Sequence, residues 1–133
     1  MIRALEHTTV ILILLLMAVS CKKEEGAGGT SSLYGKILVR DYNETFTILQ
    51  EEYYGPELDV YLIYGDDRTY SDHTKTNYDG TYEFKYLRQG DYHVYAYSKD
   101  STMQTNALIP VIRDITISGN HKEVEVPLII VFD

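Results

Sequence analysis

The side chains of this chain that could do chemistry are four histidines, one cysteine and twenty carboxylates. A reactive site needs such groups at set spacings. His7 falls in an apolar leader, His73 in a loop, His93 in an alternating stretch and His121 in a turn, with no HExxH pair and no paired cysteines to hold a metal ion. No GxSxG elbow or phosphate-cradling glycine loop is present either. His93 alternates outward beside Tyr95 and reads as a surface residue rather than a base. Carboxylates gather at Asp66, Asp67 and Asp72, and again near Asn77 and Asp79. Calcium could use such oxygens, but the spacing fits no EF-hand loop and Asp is an ordinary turn residue. The expectation is a chain without enzymatic activity, metal or cofactor.

Tyrosine is the conspicuous surplus, with 13 Tyr and no Trp. Alternation places Tyr61, Tyr95 and Tyr97 away from the expected core. Ile63 shares their direction, and Tyr53 and Tyr54 are candidates to extend the group. Neighbouring strands would bring them into one aromatic surface, where apolar rings end in polar hydroxyls and suit a glycan or a protein partner. The competing explanation is that Tyr simply favours strands.

The elements that must position these residues are organised around 76–94, TNYDGTYEFKYLRQGDYHV. Its turn has two readings: a two-residue hairpin at Asp79-Gly80, or a turn beginning at Asn77 with Gly80 in the left-handed region. The second is preferred. It pairs Thr74 with Phe84, Thr76 with Tyr82 and Lys75 with Glu83, joining β-branched to aromatic residues and opposite charges to each other. A further turn at Arg88-Gln89-Gly90-Asp91 leads into a strand where Tyr92, Val94 and Ala96 alternate with His93, Tyr95 and Tyr97.

The run Thr76-Asn77-x-x-Gly80-x-Tyr82-x-Phe84-x-x-Leu87-x-x-Gly90-x-Tyr92-x-Val94 resembles the carboxypeptidase-regulatory-like and Cna protein B-type domains of the prealbumin-like class. The resemblance implies an all-β, seven-stranded Greek-key sandwich serving as stalk, spacer or binding module. Relatives can carry a Lys-Asn crosslink between first and last strands. Lys36 is available on the first, but 123–132 holds no Asn, so no crosslink is expected.

Around that stretch, 34–41 reads as the first strand, 58–64 as the next, 69–76 as the lead into the turn, 108–117 as a strand broken by Pro110, and 123–132 as the closing strand. Pro127 cannot donate to a ladder, so the closing strand must lie at an edge or a bulge. Residues 42–57 read as an inserted loop with room for a short edge strand, and as a candidate recognition element. The expected core is Ile37, Val39, Val60, Leu62, Phe84, Leu87, Tyr92, Val94, Ala96, Ile115, Ile117, Val126, Leu128 and Ile130.

Residues 1–20 have the form of an export signal: Arg3, then an apolar run from Val10 to Val19 that is short for a bilayer span. Cys21 follows directly and resembles the lipidated cysteine of a bacterial lipobox. A single cysteine excludes an internal disulfide. Residues 21–32 read as the lipidated end and a Gly/Ser-rich flexible tether, leaving 33–133 as the domain. Lys22-Lys23-Glu24-Glu25 resembles the surface-export signal of Bacteroidota lipoproteins. The formal charge of −8 argues against nucleic acid. Together these imply a lipid-anchored outer-membrane protein, at the cell surface or on the periplasmic face. Its expected role is adhesion, scaffolding or accessory work beside an outer-membrane protein, or glycan binding in a polysaccharide uptake system.

Overall fold

The computed structural model describes Arg3 and residues 24–133. The expected export signal, apart from Arg3, and Cys21 lie outside the described residues, as do His7 and the Lys22-Lys23 pair. No helix among the described residues is long and apolar enough to cross a membrane.

Among the described residues, nine strands form two sheets that face each other as a sandwich. They are β1 (Ala27–Tyr42), β2 (Leu49–Tyr54), β3 (Asp59–Tyr64), β4 (Asp72–Lys75), β5 (Thr81–Leu87), β6 (Gly90–Ser98), β7 (Ile109–Ile117), β8 (Glu123–Glu125) and β9 (Ile129–Phe132). One sheet has the order β4-β3-β6-β7. The other is built on β1: β5 and β2 pair antiparallel with its first and second halves, and β8 and β9 pair parallel with it. β1 is therefore the central strand of its sheet.

The core lies between the inner faces. Leu33, Ile37, Val39, Tyr82, Phe84, Leu87, Val126, Ile129 and Val131 come from the β1 sheet and its ends. Val60, Leu62, Tyr92, Val94, Ala96 and Ile117 come from the other. Each such burial contributes roughly 1.5–3 kcal/mol against leaving the side chain in water. Tyr82 crosses Gly35, its partner in the ladder: a Cβ at Gly35 would stand 2.5 Å from the Tyr82 hydroxyl oxygen.

Several expectations are corrected. The first strand starts at Ala27 rather than Tyr34, so residues 26–32 are part of the fold and not a tether. Ser31 and Ser32 are buried, and the Gly26 N–H donates to the Tyr92 hydroxyl at 2.9 Å. Strand pairing with β5 and β8 satisfies this backbone, which outweighs the flexibility its composition suggests. The strand count is nine because 42–57 supplies an ordered strand, β2, and because the closing strand is two pieces.

Pro127 makes that second break. Val126 N–H still reaches the Tyr34 carbonyl at 2.8 Å, but pairing resumes only at Ile129, which shifts the inward phase by one residue. Ile129 and Val131 are thus buried, Ile130 is half-buried and Leu128 is 40% exposed. Ile115 is also only half-buried, on the edge strand β7.

The turn at Asn77 is a corner rather than a hairpin. Gly80 N–H donates to the Asn77 carbonyl at 3.0 Å, Asn77 N–H to the Thr81 carbonyl at 2.8 Å, and Gly80 has φ +77°. Beyond it the arms separate: β4 pairs with β3 and β5 with β1, so the expected Thr74–Phe84, Lys75–Glu83 and Thr76–Tyr82 pairs do not form. Thr76 explains the divergence. Its hydroxyl donates to the Gly55 carbonyl at 2.6 Å and accepts from Leu58 N–H at 2.9 Å, fixing it to the approach to β3. Lys75 consequently faces Asp59, and Glu83 lies near Lys85 on its own strand. Gly90, at φ +143°, marks the passage from β5 back to the other sheet.

Candidate functional site

Strand pairing assembles the predicted tyrosines on the outer face of the β4-β3-β6-β7 sheet. Tyr61 stands opposite Tyr95 on one side and His73 on the other, and Tyr95 stands opposite Ile112. Tyr61 and Tyr95 stack at 5.0 Å with 17° between their planes, and Tyr61 and His73 stack at 5.6 Å and 22°. The central ring is thus covered on both faces. Tyr97 meets Tyr61 and Tyr95 edge-on, and Tyr70 tilts against Tyr61 at 5.0 Å.

The result is a ridge of ring edges and hydroxyls rather than a flat aromatic floor. Tyr70 and Tyr97 are its most open rings, 52% and 46% exposed. Burial, then Asp59 and the neighbouring phenols, pushes the Tyr61 hydroxyl above the ordinary phenol range; burial and the nearby Tyr97, Tyr61 and Tyr70 do the same at Tyr95. These hydroxyls stay protonated at any physiological pH.

Polar groups flank the ridge. Asp59 lies 3.6 Å from His73 Nε2 and 4.0 Å from Lys75 Nζ. On the other side His93 Nδ1 hydrogen-bonds to Asp114, across the β6–β7 pairing. Ile63, paired with His93, lies on the same side of the sheet as Tyr61. Tyr53 and Tyr54 do not join this group: they belong to β2 in the other sheet, where Lys36 Nζ sits 4.9 Å from the centre of the Tyr54 ring.

The structure adds Tyr70 and His73 to the sequence-predicted group. Alternation within β3 and β6 could not reveal them, because β4 was expected to pair with β5. The acidic residues serve local turns: Asp67 accepts from the Ser71 hydroxyl, Asp72 from His73 N–H, and Asp79 from Thr81. No group of three metal-ligating side chains occurs among the described residues. The 42–57 segment is braced by Asn43, whose Oδ1 accepts from Thr47 and Ile48 N–H, while Tyr42, Phe46 and Phe132 pack their rings together.

No protein-family model matches the sequence, and no curated protein matches it. Among solved structures, the chain is similar to a Pseudomonas aeruginosa crystal structure described as "a putative carbohydrate binding protein". The two share 13% identity over 81% of this chain and 91% of that one, with a TM-score of 0.48.

Proposed function

We propose that this chain is a non-catalytic binding module that meets a protein partner through the tyrosine ridge. In this reading it is a carboxypeptidase-regulatory-like lipoprotein, acylated at Cys21, exported to the outer membrane and displayed at the cell surface beside an outer-membrane protein. The observation that carries the choice of partner is the coverage of Tyr61 on both faces. A sugar ring stacks on an open aromatic face, whereas ring edges, hydroxyls and the apolar flank of Ile112 suit the mixed chemistry of a protein surface. Stacking also fixes the rings before binding, so little side-chain entropy remains to be lost.

The test is a crosslinked pull-down of the full chain from native membranes, with Cys21→Ala and Tyr70→Ser/Tyr97→Ser as comparisons. One outer-membrane protein should be recovered in stoichiometric amount, and both variants should lose it. Undiminished recovery by the double tyrosine variant would remove the ridge from the interface. An unacylated mature N-terminus by intact mass would remove the anchor.

A further inference from the structure

On the outer face of the other sheet lies a cleft of about 520 Å³. Its floor is the small-residue start of β1, at Thr30, Ser31 and Ser32. Its walls are Lys85 and Tyr86 on one side and His121, Lys122 and Glu123 on the other. Ser32 makes the geometry. In the β1–β5 ladder Leu33 pairs with Phe84 and Ser31 with Leu87, so Ser32 alone opposes Lys85 and Tyr86. The extra residue is a bulge, and bulges re-aim side chains.

Tyr86 sits in that bulge at φ +59° and is 71% exposed. A bulky residue in the left-handed region is uncommon and strained. His121, in the opposite wall, is also left-handed, at φ +53°. Two of the five non-glycine residues with left-handed backbone among the described residues therefore line one cleft. Tyr86 carries the bulge that lets Phe84 and Leu87 both face the core, while its own side chain stays outside the core.

We infer that this cleft is a binding site for a neutral saccharide, one or two pyranose rings in size. The chemistry of the lining selects that class. Lys85 and Lys122 cancel the formal charges of Glu83 and Glu123, so the lining itself carries no net formal charge to select an anion or a cation. Carboxylates accept from sugar hydroxyls, ammonium groups and hydroxyls donate to them, and the Tyr86 ring offers an apolar wall for the C–H face of the ring. On the ridge the central ring, Tyr61, is covered on both faces. The inference goes beyond the function proposed above and does not depend on it.

The experiment is an amide-resolved NMR titration of the folded chain with oligosaccharides derived from xylan, cellulose and mannan, and with an oligogalacturonate as the charged comparison. At least one neutral oligosaccharide should shift the amides of Ser32, Lys85, Tyr86 and Lys122 to saturation. Tyr86→Gly, which accepts the bulge's backbone angle without strain, should weaken binding about tenfold or more. Tyr86→Phe should retain it, and Tyr97→Ser should leave it unchanged. Should Tyr86→Gly fail to fold, Lys122→Ala must show the loss instead. The inference is overturned if no neutral oligosaccharide shifts these amides, if the charged one binds more tightly, if the shifts fall on the tyrosine ridge, or if the folded Tyr86→Gly chain binds as well as its parent.

Discussion

Tyr82 places its hydroxyl in the core with no hydrogen-bond partner, and burial raises the pKa of that phenol far above its ordinary value. An unpaired buried hydroxyl costs about 1–3 kcal/mol. Tyr82→Phe should therefore leave stability unchanged or raise it in urea unfolding, while Gly35→Ala, which drives a methyl group into the same ring, should lower it by about 1–3 kcal/mol. At Asp100 the carboxylate is fully used. Oδ1 accepts from Thr102 N–H and hydroxyl, and Oδ2 from Gln104 and Thr105 N–H. The Thr102 hydroxyl bond, then the backbone bonds, hold its pKa below the usual aspartate value. The sign follows from linkage: a lowered folded pKa gives stability that is complete above the unfolded value, about 4, and is lost as pH falls through the folded one. Thermal melts of Asp100→Asn should show a lower midpoint at neutral pH and a shallower acid decline than the parent.

At the scale of elements, Pro127 gives the sharpest test. If the closing strand is re-phased there, Ile129→Ala should cost about 2–5 kcal/mol, whereas Leu128→Ala should change stability by no more than about 0.5 kcal/mol. A continuous strand would reverse that order. The same element shows what a sequence makes legible. Pro127 announced an edge or a bulge, but the phase after an interruption depends on where the parallel partner, β1, accepts the next residue. The Asn77–Gly80 turn was readable because its residue preferences are local. Its arms were not, since Thr76's bonds to Gly55 and Leu58 come from a segment 21 and 18 residues away. Period-two alternation placed Tyr61, Tyr95 and Tyr97 on one surface, yet their neighbours Tyr70 and His73 depended on β3–β4 pairing. The bulge at Tyr86 did leave a trace. Phe84 and Leu87 both read as core although they lie three apart, an odd spacing that alternation permits only with one extra residue between them.

For the whole molecule, the decisive segment is the one composition marked as a tether. Glu25 and Gly26 are seated against β6 and its turn: Glu25 accepts from Asp91 N–H, and Tyr92 both accepts from Gly26 N–H and donates to the Arg88 carbonyl. A chain beginning at Glu24 should unfold with the same cooperativity as one beginning at Cys21. One beginning at Leu33 loses the strand that pairs with the end of β5 and the buried Ser31 and Ser32, and it should show a lower midpoint and a smaller denaturant slope in urea.

That seating also sets a working radius. If Cys21 is acylated as proposed, then with the chain held from Glu25 onward only four backbone steps separate that lipid from folded protein, a reach of about 14 Å at most, against about 40 Å had the tether run to Leu33. A module so anchored could not search the medium. It would turn in place with its N-terminal end against the bilayer, and its ridge would meet only what already stands beside it in the same membrane, at the high effective concentration that such confinement provides.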